Sequence, residues 1–264
     1  MTCSWIDIGV NLTDKRFADQ QAELVETARA AGVGPLIVTG TDARSSEMAL
    51  ALCRQIDGLY CTAGVHPHDA KQVTNETLTA LRQLCQADEV IAVGETGLDF
   101  NRNFSPPEQQ VRVFEAQLEL AAECGLPLFL HERDAHQRQL EMLTSHRDQL
   151  HGGVAHCFTG SKRELFNYLD LDLYIGITGW VCDERRGDEL RRLIPHIPLD
   201  RLLLETDAPY LLPRDLRPKP KGGRNEPRFL PHIAAAVAAL QNNPLEELQQ
   251  ACFENTQRLF RLPL

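Results

Sequence analysis

Histidine and carboxylate side chains recur in this sequence at one kind of position, at the end of an apolar segment that is predicted to be a buried strand. These candidates are His66, Glu95, His131, His156, Glu205 and Asp207. A single histidine is usually a structural group, but several such groups at one edge would stay unpaired or repel one another unless a cation bound them. Imidazole nitrogens and carboxylate oxygens together suit Mg²⁺, Mn²⁺ or Zn²⁺. The pattern therefore indicates a divalent-metal site.

Eight apolar segments predict the strands that would position these side chains, and amphipathic segments between them predict helices. The predicted strands are 5–9, 35–39, 59–63, 90–94, 126–130, 153–157, 173–177 and 202–204. The predicted helices lie near 14–31, 43–56, 74–87, 106–124, 135–149, 161–170, 187–196, 228–241 and 244–260. Eight β/α units in 264 residues predict an α/β protein, a (β/α)₈ TIM barrel, as a single domain over residues 1–264. The C-terminal ends of barrel strands form one face, where ligands bind. The fourth strand is predicted to stop at Gly94, which places Glu95 on that face.

Composition narrows the class of protein further. A net charge of -10 argues against binding nucleic acid by overall charge alone. The eight cysteines form no C-x-x-C pair, and with an N-terminus that lacks a signal peptide they predict free thiols in the cytoplasm. No apolar run is long enough to span a membrane. Without a heptad seam or extra apolar surface, we expect a monomer with no obligate protein partner.

Five motifs resemble a known enzyme family. They are G-V-H-P-H at 64–68, G-E-T-G-L-D at 94–99, H-x-R at 131–133, H-C-F-T-G at 156–160 and E-T-D-A-P at 205–209. In order and spacing they resemble the TatD family of metal-dependent deoxyribonucleases, which are amidohydrolase-like barrels, from about Ile6 to the C-terminus. The resemblance implies phosphodiester hydrolysis that depends on Mg²⁺, with Mn²⁺ or Zn²⁺ as alternatives. It further implies 3′→5′ removal of nucleotides from single-stranded DNA, or RNA, with a role in DNA repair or degradation.

The resemblance also implies roles for the candidate residues. Glu95, His131 and His156 become metal ligands. Asp207 becomes a ligand or the base that orients the attacking water, and Glu205 a supporting group or a ligand of a second metal. These assignments predict one acidic and histidine-rich catalytic centre.

Substrate contacts are predicted on the loops that follow the strands. His66 corresponds to a family residue near the scissile phosphate, and Arg102, Arg133 and Arg185 are predicted to bind the backbone. Trp180 is predicted to stack on a base. Further basic and aromatic candidates are Arg186, Arg214, Arg217, Lys219, Lys221, Arg224, Phe100, Phe104, Phe158 and Tyr210.

One departure from the family pattern affects the metal content. Most members have His-x-His at the end of the first strand, whereas this chain has Gly9 and Asn11 at those positions. Glycine offers no ligand atom and a neutral amide oxygen is a weak ligand. We therefore expect one firmly held metal ion, and a second that binds only together with substrate.

Two other functions stay open at this point. The first is hydrolysis of a cyclic amide or lactone on the same scaffold. Barrels of that kind often bridge two metals with a carbamylated lysine after the fourth strand, where this chain has Glu95. The second is a non-catalytic barrel that has lost one metal position, which the missing His-x-His motivates.

Overall fold

The computed structural model describes residues 5–220 and 222–263, so Cys3 and Lys221 lie outside the described residues. The strands are β1 Trp5–Val10, β2 Val33–Val38, β3 Leu59–Ala63, β4 Val90–Asp99, β5 Leu128–Arg133, β6 Gly153–Ala155, β7 Tyr174–Ile177 and β8 Leu202–Leu204. The helices are α1 Gln21–Ala30, α2 Ala43–Cys53, α3 Asn75–Leu84, α4 Pro107–Cys124, α5 His136–His146, α6 Lys162–Asp170, α7 Asp188–Leu193, α8 Leu230–Gln241 and α9 Leu245–Phe260.

The strands follow one another in chain order in one eight-stranded sheet. Helices alternate with them along the chain, which is the topology of a (β/α)₈ barrel. The predicted fold class is therefore confirmed, and all eight predicted strands are present. Within the described residues, no helix combines the length and the apolar character that crossing a bilayer requires.

The chain divides into two compact units. The first unit contains residues 5–38, 157–165 and 175–263, and the second contains 39–156 and 166–174. In the first unit β1 pairs with β2 and β7 with β8, and a single bridge joins Val10 to Ala208 beyond β8. In the second unit β3, β4, β5 and β6 pair in sequence, all parallel.

Burial explains why these segments are strands. Every residue of β1 and of β4 is buried, as expected for parallel strands that are covered on both faces. The helices cover the strands with one apolar side each. In α4, for example, Val113, Phe114, Leu118 and Ala121 are buried. The αL conformation of Gly125, with φ of 67°, then ends the helix before β5.

Strand β4 differs from the sequence-based prediction. It continues through Glu95 to Asp99 instead of ending at Gly94. Gly94 pairs with Phe129 and Thr96 with Leu130, so Glu95 is an extra residue in β4 and forms a bulge. A bulge interrupts the apolar pattern without ending the strand, which is why the prediction stopped five residues early.

Candidate metal centre

Glu95 is the centre of a side-chain cluster in the second unit. Its backbone N–H donates to the carbonyl of Gly40 at 2.6 Å, and its side chain is buried. Three imidazole nitrogens surround its Oε1 atom: His131 Nδ1 at 3.0 Å, His66 Nε2 at 3.4 Å and His156 Nε2 at 3.9 Å. Burial raises the pKa of the Glu95 carboxyl, but these imidazoles outweigh it and hold the pKa well below its usual range. Glu95 is therefore an anion at neutral pH.

His66 is placed by the loop after β3. Its backbone N–H donates to the carbonyl of Thr41 at 2.8 Å. The preceding residue, Val65, is held on both sides by the buried side chain of Gln117 from α4. Its N–H donates to Gln117 Oε1 at 2.7 Å, and its carbonyl accepts from Gln117 Nε2 at 3.1 Å. His66 Nδ1 accepts from the N–H of His68 at 3.1 Å, which leaves Nε2 facing Glu95.

His131 lies between two carboxylates because of the β4–β5 register. It pairs with Gly97, midway between Glu95 and Asp99 on β4. Its Nδ1 contacts Glu95, and its Nε2 lies 3.5 Å from Asp99 Oδ2. Burial lowers the pKa of the ring, but the two carboxylates more than compensate and raise it to about 9. Without a metal, His131 is thus a cation at neutral pH.

The Gly97 position has room for no other residue type. A Cβ atom there would lie 1.9 Å from the carbonyl oxygen of His131, and Gly97 has a φ of +140°. The close approach of the two strands at this point depends on that glycine.

Asp99 links His131 to a fourth histidine. Its Oδ2 is 2.7 Å from His68 Nε2, and its Oδ1 accepts from the N–H groups of Asn101 and Arg102. Burial raises the pKa of Asp99, but the contact with His131 and these hydrogen bonds lower it well below its usual value. Asp99 therefore stays ionised and orients two imidazoles.

The cluster fits a divalent cation. Ligand atoms of His66, Glu95 and His131 all lie within 4.8 Å of one another. Among the described residues, the buried Nε2 of His131 faces Asp99 at 3.5 Å but makes no hydrogen bond of normal geometry. A buried carboxylate facing several imidazoles is a donor set that Mg²⁺, Mn²⁺ or Zn²⁺ can use.

His156 follows β6 directly, and its Nε2 is the third imidazole nitrogen near Glu95 Oε1. Its N–H donates to the carbonyl of Leu130 at 2.9 Å, and its ring packs on Phe129 with a centroid distance of 4.6 Å. The structure thus brings Glu95, His131, His156 and His66 together, and the role of the first three as metal ligands stays a prediction.

The first unit holds Asp207 and Glu205. Asp207 has a φ of 53°, its N–H donates to the carbonyl of Gly9 at 2.8 Å, and its Oδ1 accepts from the amide of Asn11 at 2.9 Å. Gly9 and Asn11, the two positions at which the sequence departs from the pattern that it resembles, therefore hold Asp207. Glu205 is fully buried, and its Oε1 accepts from the N–H of Cys157 at 2.6 Å, which fixes the turn after His156.

A third carboxylate, Asp7, is buried beside this segment of the first unit. It accepts from the N–H and the hydroxyl of Thr206, at 2.9 and 2.5 Å, and from the N–H of Gly9. Burial raises the pKa of Asp7 to about 7, although these hydrogen bonds lower it.

The predicted substrate-binding side chains fall into two groups. Arg102 and Arg133, in the second unit, are exposed. In the first unit, Arg185 and Arg186 pair with the buried Asp183, and the Arg186 guanidinium lies 4.4 Å from the centroid of the Trp180 ring.

Two other basic candidates for substrate binding also have partners within the protein. Arg214 pairs with Glu184, and Arg224 donates to Gln20 and to the carbonyl of Arg16. Phe158 is buried and offers no stacking face, whereas Phe104 and Tyr210 are exposed. Fewer of the basic side chains on these loops are therefore available to bind substrate than the sequence predicted.

Sequence reasoning missed Asp99, His68 and the buried glutamines. Asp99 was hidden because β4 was predicted to end at Gly94. In an extended strand, residues 95, 97 and 99 share one face, and this period of two would have placed Asp99 beside Glu95. No pattern marked Gln117 as buried.

Comparisons with known proteins support the family resemblance of the five motifs. Residues 6–261 match the family model described as TatD related DNase. A protein of Erwinia billingiae named 3′-5′ ssDNA/RNA exonuclease TatD is 57% identical over 259 residues, covering 97% of this chain and 99% of that protein. Its namesake in Erwinia tasmaniensis is 54% identical over 257 residues, with 97% and 99% covered.

A solved structure extends the agreement to three dimensions. The crystal structure of YJJV, a TatD homologue from Escherichia coli K12, superposes with a TM-score of 0.91 at 32% identity and covers 100% of both chains. The motifs, the family model and these relatives lead to one conclusion, that this chain belongs to the TatD-related DNase family.

Proposed function

We propose that this protein is a divalent-metal-dependent 3′→5′ exonuclease that acts on single-stranded DNA or RNA. The observation that carries the proposal is the convergence of three imidazoles on the buried carboxylate of Glu95. Family membership and the names of the relatives support the substrate class and the direction.

In this proposal Glu95, His131 and His156 hold the metal ion, and Asp99 orients His131 from behind. A bound divalent ion supplies two effects at such a site: it polarises a phosphoryl oxygen and lowers the pKa of a bound water. The protein contributes a fixed, desolvated arrangement of ligands, which costs no reorganisation during the reaction.

His66 serves as a hydrogen-bond donor in this scheme. Because its Nδ1 accepts from the N–H of His68, the proton of the neutral ring is on Nε2. Burial lowers the pKa of His66, which favours the neutral ring. We therefore assign Nε2–H to a non-bridging phosphate oxygen, as the resemblance implied.

Asp207, fixed by Asn11, is proposed as the proton acceptor for the attacking water, and Glu205 as the support of the turn after His156.

Base stacking is proposed at Phe104. Its ring is 52% exposed and packs edge-on against His68 at a centroid distance of 4.7 Å. The guanidinium of Arg102 lies 6.0 Å from the same ring. An exposed aromatic face beside a cation suits a single-stranded substrate, because every base has a face that stacks. Arg133, Arg185 and Trp180 are retained as further proposed substrate contacts.

Several finer assignments belong to the same proposal. We propose Mg²⁺ as the metal, because phosphoryl chemistry commonly uses a hard cation and carboxylates are among its ligands. We propose one firmly held ion, since Gly9 and Asn11 provide no imidazole at the C-terminal end of β1. We also propose a single domain, a monomer and a cytoplasmic location, the last supported by seven described cysteines that are free thiols.

An assay of end-labelled substrates tests the proposal. Purified protein should shorten single-stranded DNA and RNA from the 3′ end with Mg²⁺, and EDTA should stop it. Glu95→Gln should reduce turnover by at least about a hundredfold, since it removes the charged ligand. Glu141→Gln, at an exposed position on α5, is the matched control and should keep wild-type turnover.

The same assay separates the alternative functions. Full activity in EDTA, or shortening from the 5′ end, contradicts the proposal. Hydrolysis of a dihydropyrimidine amide without action on any nucleic acid would favour the cyclic-amide alternative. Absence of both activities in metal-loaded protein would favour a non-catalytic barrel.

A further inference from the structure

A second group of metal-binding side chains lies within the first unit. Cys182 ends the 3₁₀ turn that follows β7, Asp215 lies in the loop after β8, and His232 is in the first turn of α8. Their ligand atoms, a thiol sulfur, a carboxylate oxygen and an imidazole nitrogen, all lie within 4.8 Å of one another. Three separate segments of the first unit therefore bring three different ligand types to one place.

The exposure of the three side chains suits a site that is closed on one side. Cys182 is buried, with 5% of its surface exposed, whereas the side chains of Asp215 and His232 are 54% and 33% exposed. A sulfur on the inside and two ligands on the outside would leave one coordination position open to water.

The charges near the cluster also favour a dication. A thiolate and one carboxylate together balance two positive charges. The neighbouring cation, Arg191, is already neutralised, because it pairs with Asp188 and donates to the carbonyls of Val181 and Asp183. A bound dication would thus leave the cluster electrically neutral.

An ordinary ion pair explains only part of this arrangement. His232 Nε2 lies 2.8 Å from Asp215 Oδ1, which is a normal hydrogen bond. The Cys182 thiol is also in contact with this pair: burial and its hydrogen bond to Asp215 raise the pKa of the thiol to about 12. A thiol, a carboxylate and an imidazole therefore already meet at one place, and they can bind one ion when the metal displaces the thiol proton.

We propose that Cys182, Asp215 and His232 form a binding site for Zn²⁺, with water as the fourth ligand. The thiolate sulfur of Cys182 selects Zn²⁺ over Mg²⁺, which takes oxygen ligands and does not bind sulfur in proteins. On binding, the Cys182 thiol gives its proton to the solvent, and the thiolate forms the bond to the metal. No oxidation is involved.

The proposed ion would tie the loop after β8 to α8 and to the turn after β7. That loop also carries Arg214 and Arg217, and Arg214 already pairs with Glu184 next to the same turn. The ion would therefore link three segments of the first unit and hold basic residues in place, and the site does not depend on the proposed nuclease activity.

Cobalt substitution tests the site in the full-length protein. Metal-free protein titrated with Co²⁺ should develop a near-ultraviolet thiolate-to-cobalt absorption band, and Zn²⁺ should abolish the band by displacement. Cys182→Ala should remove the band. Asp215→Asn and His232→Gln, at partly exposed positions, should each weaken Co²⁺ binding by about tenfold or more. Glu95→Gln should keep the band, because the cluster around Glu95 contains no sulfur.

A matched control isolates the role of this one thiol. Cys252 is a buried cysteine of α9 in the first unit, and Cys252→Ala should leave the band unchanged. Absence of the band in saturated wild-type protein would overturn the proposal. It would also be overturned if the band survived in Cys182→Ala, or if Asp215→Asn and His232→Gln both bound Co²⁺ as tightly as wild type.

Discussion

At the scale of residues, His131 should make metal binding depend on pH. Its ring is held between Glu95 and Asp99, which raises its pKa to about 9, but a metal ligand must be neutral. Near pH 7.5 the metal must displace that proton, so binding should release about one proton from His131. Affinity should rise as the pH increases towards 9. Calorimetry in two buffers with different ionisation enthalpies measures the proton release directly.

Asp99→Asn is the companion variant for this measurement. Loss of one carboxylate lowers the pKa of His131, so fewer protons should be released at the same pH. Equal proton release in the variant and in wild type would contradict the role assigned to Asp99.

Asp7 should make folding stability fall as the pH rises. Its pKa is about 7 in the folded protein and 3.8 as the unperturbed value, so the folded state binds more protons between these values. Its stabilising contribution is complete below about pH 4 and is lost by about pH 7, at most about 4 kcal/mol. Asp7→Asn should remove this slope, since an amide oxygen still accepts from Thr206 and Gly9. Urea unfolding at pH 5 and pH 8 measures it.

Asp88→Asn, at an exposed position, is the control for Asp7→Asn and should keep the wild-type slope. A slope that persists in Asp7→Asn would assign the pH dependence to another group.

The sequence predicted that histidines and carboxylates form the cluster around Glu95, but it identified only some of the residues that belong to the cluster. Glu95, His131 and His156 were predictable because each follows an apolar run. Asp99 was not found, because β4 was predicted to end at Gly94 and the period of two was not followed beyond Glu95, where the bulge lets the strand continue. The engagement of Arg224 with Gln20 depends on distant parts of the chain, so local sequence does not reveal it.

At the scale of elements, buried glutamines of the helices hold the loops of the metal cluster. Gln117 of α4 bonds both backbone groups of Val65, and Gln110 of α4 bonds the N–H and the carbonyl of Asp99. Gln139 of α5 accepts from the N–H of Leu98. Helix packing and the placement of the proposed metal ligands are therefore coupled.

Gln117→Leu should test this coupling. The change leaves the N–H and the carbonyl of the buried Val65 without partners, which should cost about 2–4 kcal/mol of unfolding free energy. It should also weaken metal binding, because His66 directly follows Val65. Gln137→Leu, exposed on α5, should change neither quantity. Wild-type stability of Gln117→Leu in urea unfolding would refute the coupling.

The ends of helices and strands were predicted best where an apolar segment stops and residues typical of a turn follow it. Strands β3 and β8 match the prediction to the residue. Helix α1 begins at Gln21, whereas the prediction began at 14, because a separate 3₁₀ turn, Lys15–Phe17, precedes it. Phe17 belongs to that turn and is apolar and buried. A buried apolar residue therefore does not by itself distinguish such a turn from the start of a helix.

At the scale of the whole molecule, the proposed single domain should unfold in one transition. The family model matches both compact units as one sequence, and the first unit is made of three separate chain segments. Neither unit is therefore one continuous segment of chain that could unfold separately while linkers hold it to the rest. Calorimetry should give equal calorimetric and van't Hoff enthalpies for the metal-free protein. Two resolved transitions would show that the units unfold independently.

The division of the chain into two units also affects the order in which the protein can fold during translation. Residues 39–156 of the second unit leave the ribosome as one continuous stretch, whereas β1 belongs to a unit whose last helix, α9, ends at Phe260. The buried, apolar β1 can pair with β2 soon after both strands are synthesised, but its contacts with β8, α8 and α9 form only after residues 202–260 have been translated. We expect nascent-chain chaperones to bind the β1–β2 pair until then, and chains that stall before α9 is made to be prone to aggregation.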